Sequence, residues 1–171
     1  MQKLTLAEAV KLKSVLAKRI HELEEEMDRV AFADIEKGSK LPEMPRSLGM
    51  VEKEMDEVRK DMRLLDKLVY KANIENDITF NNESLPIVEA IELATQYRAK
   101  ARKFKEYGTA AREEFLYTVS ENVSMVKMAL FDPEQYRLKG LEAERQANRL
   151  SNLINNKNYL IELEFDSEKY F

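Results

Sequence analysis

Cysteine is missing from this 171-residue sequence, and histidine occurs once, as His21. Without cysteine, the chain can form no disulfide, no thiolate zinc site and no cysteine nucleophile. A single histidine cannot supply a multi-histidine metal centre, and it argues against Ser-His-Asp catalysis. The phosphate-loop, dinucleotide-binding, zinc-protease and serine-hydrolase motifs are absent as well. We therefore predict a protein that is not an enzyme and that carries no cofactor.

Glycine and proline are scarce, with four of each, and no apolar run approaches the roughly 18–20 residues of a membrane span. The first ten residues lack the apolar core and the cleavage site of a signal peptide. Hydrophobic residues make up 44% of the sequence and charged residues 35%, against roughly 25% charged in an average chain. This composition favours long amphipathic helices in one cytoplasmic, all-α domain over residues 1–171.

The first helix of a predicted hairpin, residues 5–72, begins with a recognisable cap. Thr5 and Glu8 have the spacing of a capping box, in which each side chain satisfies a backbone N–H of the first turn. We expect this helix to end near Lys37 and Gly38. Its apolar residues recur at steps of three and four, which indicates a single helical face: Ala9, Leu12, Leu16, Ile20, Leu23, Met27 and Val30.

Residues 38–49 contain two prolines and two glycines and predict a loop. Apolar residues after this loop alternate at steps of four and three, a heptad pattern typical of coiled-coil packing. The two helices are therefore expected to pack antiparallel across the proline loop. The heptad positions are Val51, Met55, Val58, Met62, Leu65, Val69 and Ala72.

A second helical unit is predicted over residues 84–158. Ser84 is expected to cap its first helix, whose many alanines would let another helix approach closely, and Gly108 is expected to kink or end that helix. Residues 117–131 fit either a helix or a strand. Asp132 and Pro133 predict the start of the last long helix, because aspartate suits the N-cap and proline the first helical position.

Two short segments have β character and are candidates for one small β pairing. Residues 78–80 follow an Asn-rich, turn-favouring stretch. Residues 159–165 alternate larger apolar side chains with polar or smaller ones. The predicted architecture is thus long antiparallel helices with coiled-coil packing and a small pairing between 78–80 and 159–165.

A group of cations with neighbouring aromatic residues is the best candidate for a binding site. Four cations are spaced at i, i+4, i+7 and i+14, which places them on one face of a continuous helix. Such a face can hold a phosphate-bearing ligand, and a nearby ring can stack on a base. The alternative is a solvated face that pairs with acidic residues such as Glu22 or Glu25. The predicted ligand-binding residues are Arg98, Arg102, Lys105, Arg112, Tyr97 and Phe104.

An acidic run lies beside His21 and consists of Glu22, Glu24, Glu25, Glu26 and Asp28. Helical di-metal bundles use repeated Glu-x-x-His pairs from several helices, which one histidine cannot provide. A solvated helix face is the interpretation that we adopt for this run.

The order of several short motifs resembles the septicolysin-like family of small helical bacterial and phage proteins. The opening from Leu4 to Ala9 matches, as do Leu68, Val69 and Asn73 before a turn. The resemblance continues through Ser124–Lys127 to the pair Asn158 and Tyr159, and it covers about residues 4–160. One departure is Asn81-Asn82 in a turn where the family usually has glycine. The resemblance implies a helical fold, and the family's name implies membrane activity as a cytolysin.

These observations together predict a non-enzymatic, oligomeric helical binding protein that sequesters a small anionic ligand of the nucleotide type. The small residues on one helix face favour packing against other copies, so we expect a homo-oligomer. A formal net charge of −4 argues against binding of a nucleic-acid polymer, and no membrane span is expected. Two alternatives remain, a helical scaffold or adaptor that binds a protein partner, and the cytolysin that the family's name suggests.

Overall fold

The computed structural model describes residues 2–170, which form four long helices packed antiparallel in pairs and three small two-stranded sheets. The helices are α1 (Leu6–Ala31), α2 (Leu48–Glu75), α3 (Ile87–Gly108) and α4 (Pro133–Asn158). The strands are β1 (Gln2–Thr5), β2 (Asp77–Phe80), β3 (Glu83–Pro86), β4 (Glu113–Ser120), β5 (Val123–Met128) and β6 (Glu162–Phe165). The prediction of a mainly helical protein is confirmed, but the all-α class is wrong, since strands make up 17% of the chain.

The chain forms two compact units. The first comprises the chain up to Asn76 together with the chain from Lys157 onward, and the second comprises Asp77–Asn156. The first unit contains α1, α2 and the β1–β6 sheet. The second contains α3, nearly all of α4, and the β2–β3 and β4–β5 hairpins.

The core of the first unit lies along the α1–α2 hairpin. The capping box is confirmed, because the Thr5 side chain accepts from the Glu8 N–H while the Glu8 carboxylate accepts from the Thr5 N–H. Six of the seven predicted heptad positions of α2 are buried, all except the half-buried Met62, and they meet a row of leucines from α1. Apolar burial of this kind contributes about 25 cal/mol per Å². The buried residues are Leu6, Leu12, Leu16 and Leu23 of α1 and Val51, Met55, Val58, Leu65, Val69 and Ala72 of α2.

The loop between these helices begins earlier than predicted. α1 ends at Ala31, and Phe32 is extended and 85% exposed. The expected end near Lys37 and Gly38 is therefore wrong. Residues 32–40 are all exposed, so packing does not support a longer helix. α2 begins at Leu48, since the Ser47 hydroxyl accepts a hydrogen bond from the Met50 N–H and caps the helix.

The predicted pairing between residues 78–80 and 159–165 is wrong. β2 pairs with its neighbour β3, and β6 pairs with the N-terminal strand β1, both antiparallel. Asn81 and Asn82 have φ values of 48° and 66°, so they form a tight left-handed turn that closes the β2–β3 hairpin locally. Short polar side chains tolerate this backbone region without glycine.

α3 and α4 pack closely because the residues between them are small. Ala90, Ala94 and Ala101 of α3 and Ala143 and Ala147 of α4 are buried. α3 begins at Ile87 rather than at Ser84, which lies in β3, and no side chain caps it. Its last residue is Gly108.

Residues 117–131, for which the sequence left helix and strand open, form most of the β4–β5 hairpin. Glu113 lies opposite Met128, and Ser120 lies opposite Val123 across a short turn. Two register shifts interrupt β4, between Phe115 and Tyr117 and between Thr118 and Ser120.

Candidate functional site

Three of the four predicted cations come together along one side of the α3–α4 pair. Arg98, Arg102 and Lys105, called here the cationic cluster, are spaced at i, i+4 and i+7 on α3. They line a cavity of about 400 Å³ whose other wall comes from α4, including Glu144 and Asn148. The buried Ala101 and Ala147 form its floor, so the small residues that bring the helices together also shape the cavity.

Two members of the cationic cluster already contact α4. The Lys105 Nζ lies 2.6 Å from the Glu144 Oε2, and the Arg98 guanidinium donates to the Ser151 hydroxyl. Arg102 has neither an ion pair nor a hydrogen bond with any side chain of residues 2–170, and it is exposed. Three cations facing a single carboxylate give this cavity an excess of positive charge.

Arg112 is not part of the cationic cluster, and its predicted place on the helix face is wrong. α3 ends at Gly108, so Arg112 lies in the connection to β4. Its Nη2 lies 3.6 Å from the Asp132 Oδ1, and its side chain is 80% exposed. The i+14 spacing places a residue on the face only if the helix continues that far.

Tyr97 and Phe104 lie on the opposite side of the α3–α4 pair from the cationic cluster. They line a separate cavity of about 320 Å³ together with Lys100 and Lys139. The Tyr97 ring packs edge-on against Phe80, with ring centroids 6.2 Å apart, and the Phe104 ring packs edge-on against Tyr136 at 5.1 Å. The structure therefore does not bring these rings together with the cations that they were predicted to assist.

Three residues of the site were missed by sequence analysis, all on α4. Glu144, Asn148 and Ser151 have the same i, i+4, i+7 spacing as the cationic cluster, in the antiparallel partner of α3. A search for a second polar face with this spacing would have found them. Glu144 is one of several glutamates in this helix, and Asn148 and Ser151 are neutral, so the pattern alone did not distinguish them.

The acidic run of α1 forms ion pairs with cations of the α1–α2 hairpin. Glu24 pairs with Arg59 at 3.2 Å, and Glu26 pairs with Arg46 at 3.4 Å. His21 lies 3.4 Å from Glu25 within the helix. Among residues 2–170, no group of three or more acidic or histidine side chains could hold a metal ion.

Glu54 joins the two helices of the first unit. Its carboxylate accepts from Arg19 at 2.5 Å and also from Arg46, which precedes α2. The hydrogen bond from Arg19 and then that from Arg46 outweigh burial and lower the pKa of Glu54. This residue stays charged over a wide pH range and serves the fold rather than the cavity of the second unit.

None of the helices within residues 2–170 combines the length and apolarity that a bilayer crossing requires.

Comparison with solved structures finds a similar fold in a functionally unknown conserved protein from Corynebacterium diphtheriae. The TM-score is 0.68 at 19% sequence identity, and the match covers 95% of this chain and 100% of that chain. No family model matches the sequence, and a search of curated proteins found no significant relative. At this identity the likeness shows a shared fold and nothing about activity.

Proposed function

We propose that the protein is a non-enzymatic binding protein that sequesters a small phosphate-bearing anion, of the nucleotide type, at the cationic cluster. The observation that carries this proposal is the unpartnered guanidinium of Arg102, which lies between two further cations in a cavity. The proposal includes four further expectations from the sequence. They are a relationship to the septicolysin-like family, coiled-coil packing of α1 and α2, a cytoplasmic location and assembly into a homo-oligomer.

The chemistry of the cluster suits phosphate oxygens. A guanidinium presents a planar fork of N–H donors that matches phosphate and carboxylate groups. Arg98 and Arg102 are one helical turn apart, so both can reach neighbouring oxygens of one ligand. Arg98 gives up only a neutral hydroxyl when it turns to a ligand, whereas Lys105 must first leave the Glu144 carboxylate.

The phosphate end of the ligand, rather than a stacked base, is the part that the cluster would recognise. Tyr97 and Phe104 face the other cavity and are engaged with Phe80 and Tyr136. Affinity should therefore follow the charge of the phosphate group more closely than the identity of the base. Because the cluster is exposed, binding should also weaken as ionic strength rises.

Isothermal titration calorimetry with pyrophosphate and adenosine diphosphate tests this proposal. Arg102→Gln should reduce the affinity for both anions about tenfold, which corresponds to about 1.4 kcal/mol. Arg149→Gln is the matched control, because Arg149 is exposed on α4 and does not line the cavity. Circular dichroism should show the same helix content for both variants.

Two results would contradict the proposal. The first is the absence of measurable heat with either anion on the wild-type protein at low salt. The second is an equal loss of affinity in Arg102→Gln and Arg149→Gln, which would indicate general attraction by surface charge. Either result would favour the helical adaptor that binds a protein partner.

A further inference from the structure

The β4–β5 hairpin, called here the arm, exposes apolar side chains on both of its faces. Every residue of β4 and β5 is exposed. Phe115 and Val119 are each 62% exposed and Tyr117 is 57% exposed, although these residue types belong in a core. The exposed apolar side chains of the arm are Phe115, Leu116, Tyr117, Val119, Val123, Met125, Val126 and Met128.

The accessible apolar area of the arm is what a stable dimer needs. At the fractions that these eight side chains expose, they present on the order of 800 Å² to solvent. The largest apolar patch on a typical monomer is about 300–600 Å², and a standard protein interface buries about 800 Å² on each partner. A two-stranded hairpin with no third strand is at best marginally stable in water. Contact with a further strand would therefore stabilise the arm.

The two edges of the arm differ in their ability to accept another strand. β4 carries both register shifts, which leave Leu116 and Val119 without direct cross-strand partners. Bulges of this kind blunt an edge. β5 runs without interruption from Val123 to Met128, and no strand within residues 2–170 pairs with its outer edge.

The backbone of β5 is oriented for pairing at that edge. The Ala129 N–H donates to the Arg112 carbonyl at 2.9 Å, next to the first pair of the hairpin. Hydrogen-bonding direction alternates along an antiparallel strand. The N–H and C=O groups of Ser124, Val126 and Met128 therefore point away from β4 and are available to another strand.

The charges of the arm argue against an anionic membrane surface as its partner. Residues 113–128 include Glu113, Glu114 and Glu121 but only one cation, Lys127. Lys127 already lies opposite Glu114 in the hairpin. Apolar elements that settle on anionic lipid carry Lys and Arg beside their apolar face, and a net negative arm would be repelled there.

From these observations we infer that the arm is the surface on which a second copy of this chain docks. The free edge of β5 pairs antiparallel with β5 of the second copy about a two-fold axis, so the two arms form one four-stranded sheet in which apolar side chains of the two copies lie side by side. Such a contact is isologous, since each copy offers the same edge. The inference supplies a surface for the oligomer in the proposed function and does not depend on the cationic cluster.

The absence of cysteine makes this pairing directly testable. Single cysteines at Ser124, Val126 and Met128 place thiols along the β5 edge, and a short bis-maleimide should join two chains at one or more of them. Leu138→Cys is the control, because Leu138 is 53% exposed and belongs to α4 rather than to the arm. We expect dimer bands from the β5 cysteines and none from the control.

Light scattering during size-exclusion chromatography gives the second measurement. The triple variant Phe115→Thr, Tyr117→Thr and Val126→Thr replaces apolar side chains of the arm with threonine, which also favours strands. It should run at the mass of a monomer, whereas the wild type and Leu138→Thr run as a dimer or a larger oligomer. An unchanged mass in the triple variant would overturn the inference. So would a monomeric wild type that sediments with phosphatidylserine vesicles through the arm.

Pyrophosphate titration of the triple variant separates this inference from the proposed function. Retained affinity in a monomer supports the arm as an assembly element that is independent of the anion site. If the wild type is an oligomer and the triple variant is a monomer, the inference is supported even when neither protein binds pyrophosphate.

Discussion

The Nζ atom of Lys105 lies 2.6 Å from the Oε2 atom of Glu144, so a carboxylate from α4 neutralises one of the three cations of the cationic cluster. Both side chains are partly exposed, at 39% and 50%. Exposed pairs of this kind contribute about 0–1 kcal/mol to stability. The pair therefore affects the charge of the cavity more than it affects the fold.

Removal of the Glu144 charge should strengthen anion binding. In Glu144→Gln the Lys105 ammonium is released toward the cavity and an opposing charge is lost, so the affinity for pyrophosphate should rise about three- to tenfold, or about 1 kcal/mol. Calorimetry measures the change. Glu142→Gln is the control, since Glu142 is an exposed residue of the same helix that pairs with Arg145 and does not line this cavity. Unchanged or weaker binding in Glu144→Gln would contradict the prediction.

The parts of the fold that the sequence predicted correctly depend on local periodicity. The heptad of α2 and the capping box of Thr5 are local patterns, and both are confirmed. Strand partners depend on contacts between distant residues. The pairing of β6 with β1 could not be predicted from residues 159–165 alone. The turn at Asn81 and Asn82 brings β3 beside β2, so β2 pairs with β3 rather than with β6.

The site was partly predictable for the same reason. Spacing on α3 placed Arg98, Arg102 and Lys105 together. Arg112 was misplaced because its i+14 spacing assumes a helix that continues past Gly108, whereas α3 ends at that glycine. The sequence also could not show on which side of the buried alanines Tyr97 and Phe104 would fall, since the side depends on how α4 packs.

Close packing of α3 against α4 predicts opposite effects for two glycine substitutions. A Cβ on Gly140 would lie 2.9 Å from the Lys105 Cγ and 3.0 Å from its backbone nitrogen, so Gly140→Ala must push the helices apart. Overpacking costs about 1–3 kcal/mol, which exceeds the gain of about 1 kcal/mol in helix propensity. We expect net destabilisation in urea unfolding and weaker pyrophosphate binding, because the cavity walls move.

Gly49→Ala is the matched control for Gly140→Ala. Gly49 also lies in a helix, and a Cβ there would meet no atom within 4 Å. Gly49 is the second residue of α2, where helix propensity counts for less than in the interior. The free energy of unfolding should therefore rise by up to about 0.5 kcal/mol, because alanine has fewer conformations than glycine in the unfolded chain. Equal effects of the two substitutions would show that the helices can separate freely at Gly140.

The ion pairs of Glu54 with Arg19 and Arg46 predict a pH-dependent part of stability. Because these partners lower the pKa of Glu54 in the folded state, its contribution is present above the unfolded pKa of about 4.3. The contribution is lost as pH falls through the folded pKa. Glu54→Gln should reduce the free energy of unfolding at neutral pH by about 1 kcal/mol, as expected for a part-exposed pair.

Urea unfolding at neutral pH and in acid measures the pH dependence of this pair. The difference between wild type and Glu54→Gln should shrink as the solution becomes acidic. Glu52→Gln is a suitable control, since Glu52 is exposed on α2. A difference that stays constant with pH would mean that the loss in Glu54→Gln comes from packing rather than from charge.

Lys169 and Tyr170 both contact Asp61 of α2, and this contact predicts that Tyr170 ionises at a higher pH than an ordinary tyrosine. The Tyr170 hydroxyl donates to the Asp61 Oδ2 at 2.5 Å, and the Lys169 Nζ lies 2.6 Å from the same oxygen. Burial, and then the hydrogen bond to Asp61, raise the pKa of the Tyr170 phenol well above its ordinary value of about 10. The contribution of this phenol to stability is present below that ordinary value and is lost as pH rises through the folded pKa.

Alkaline titration of tyrosinate absorbance measures this contact directly. One of the seven tyrosines should ionise after the rest while the helical circular dichroism persists, and Tyr170→Phe should remove that late phase. The same variant should lower the free energy of unfolding by about 1 kcal/mol, the usual net value of one hydrogen bond. Tyr159→Phe should keep the late phase, because Tyr159 is 67% exposed. Ionisation of all seven tyrosines in one step by the folded wild type would show that Asp61 does not hold the phenol in solution.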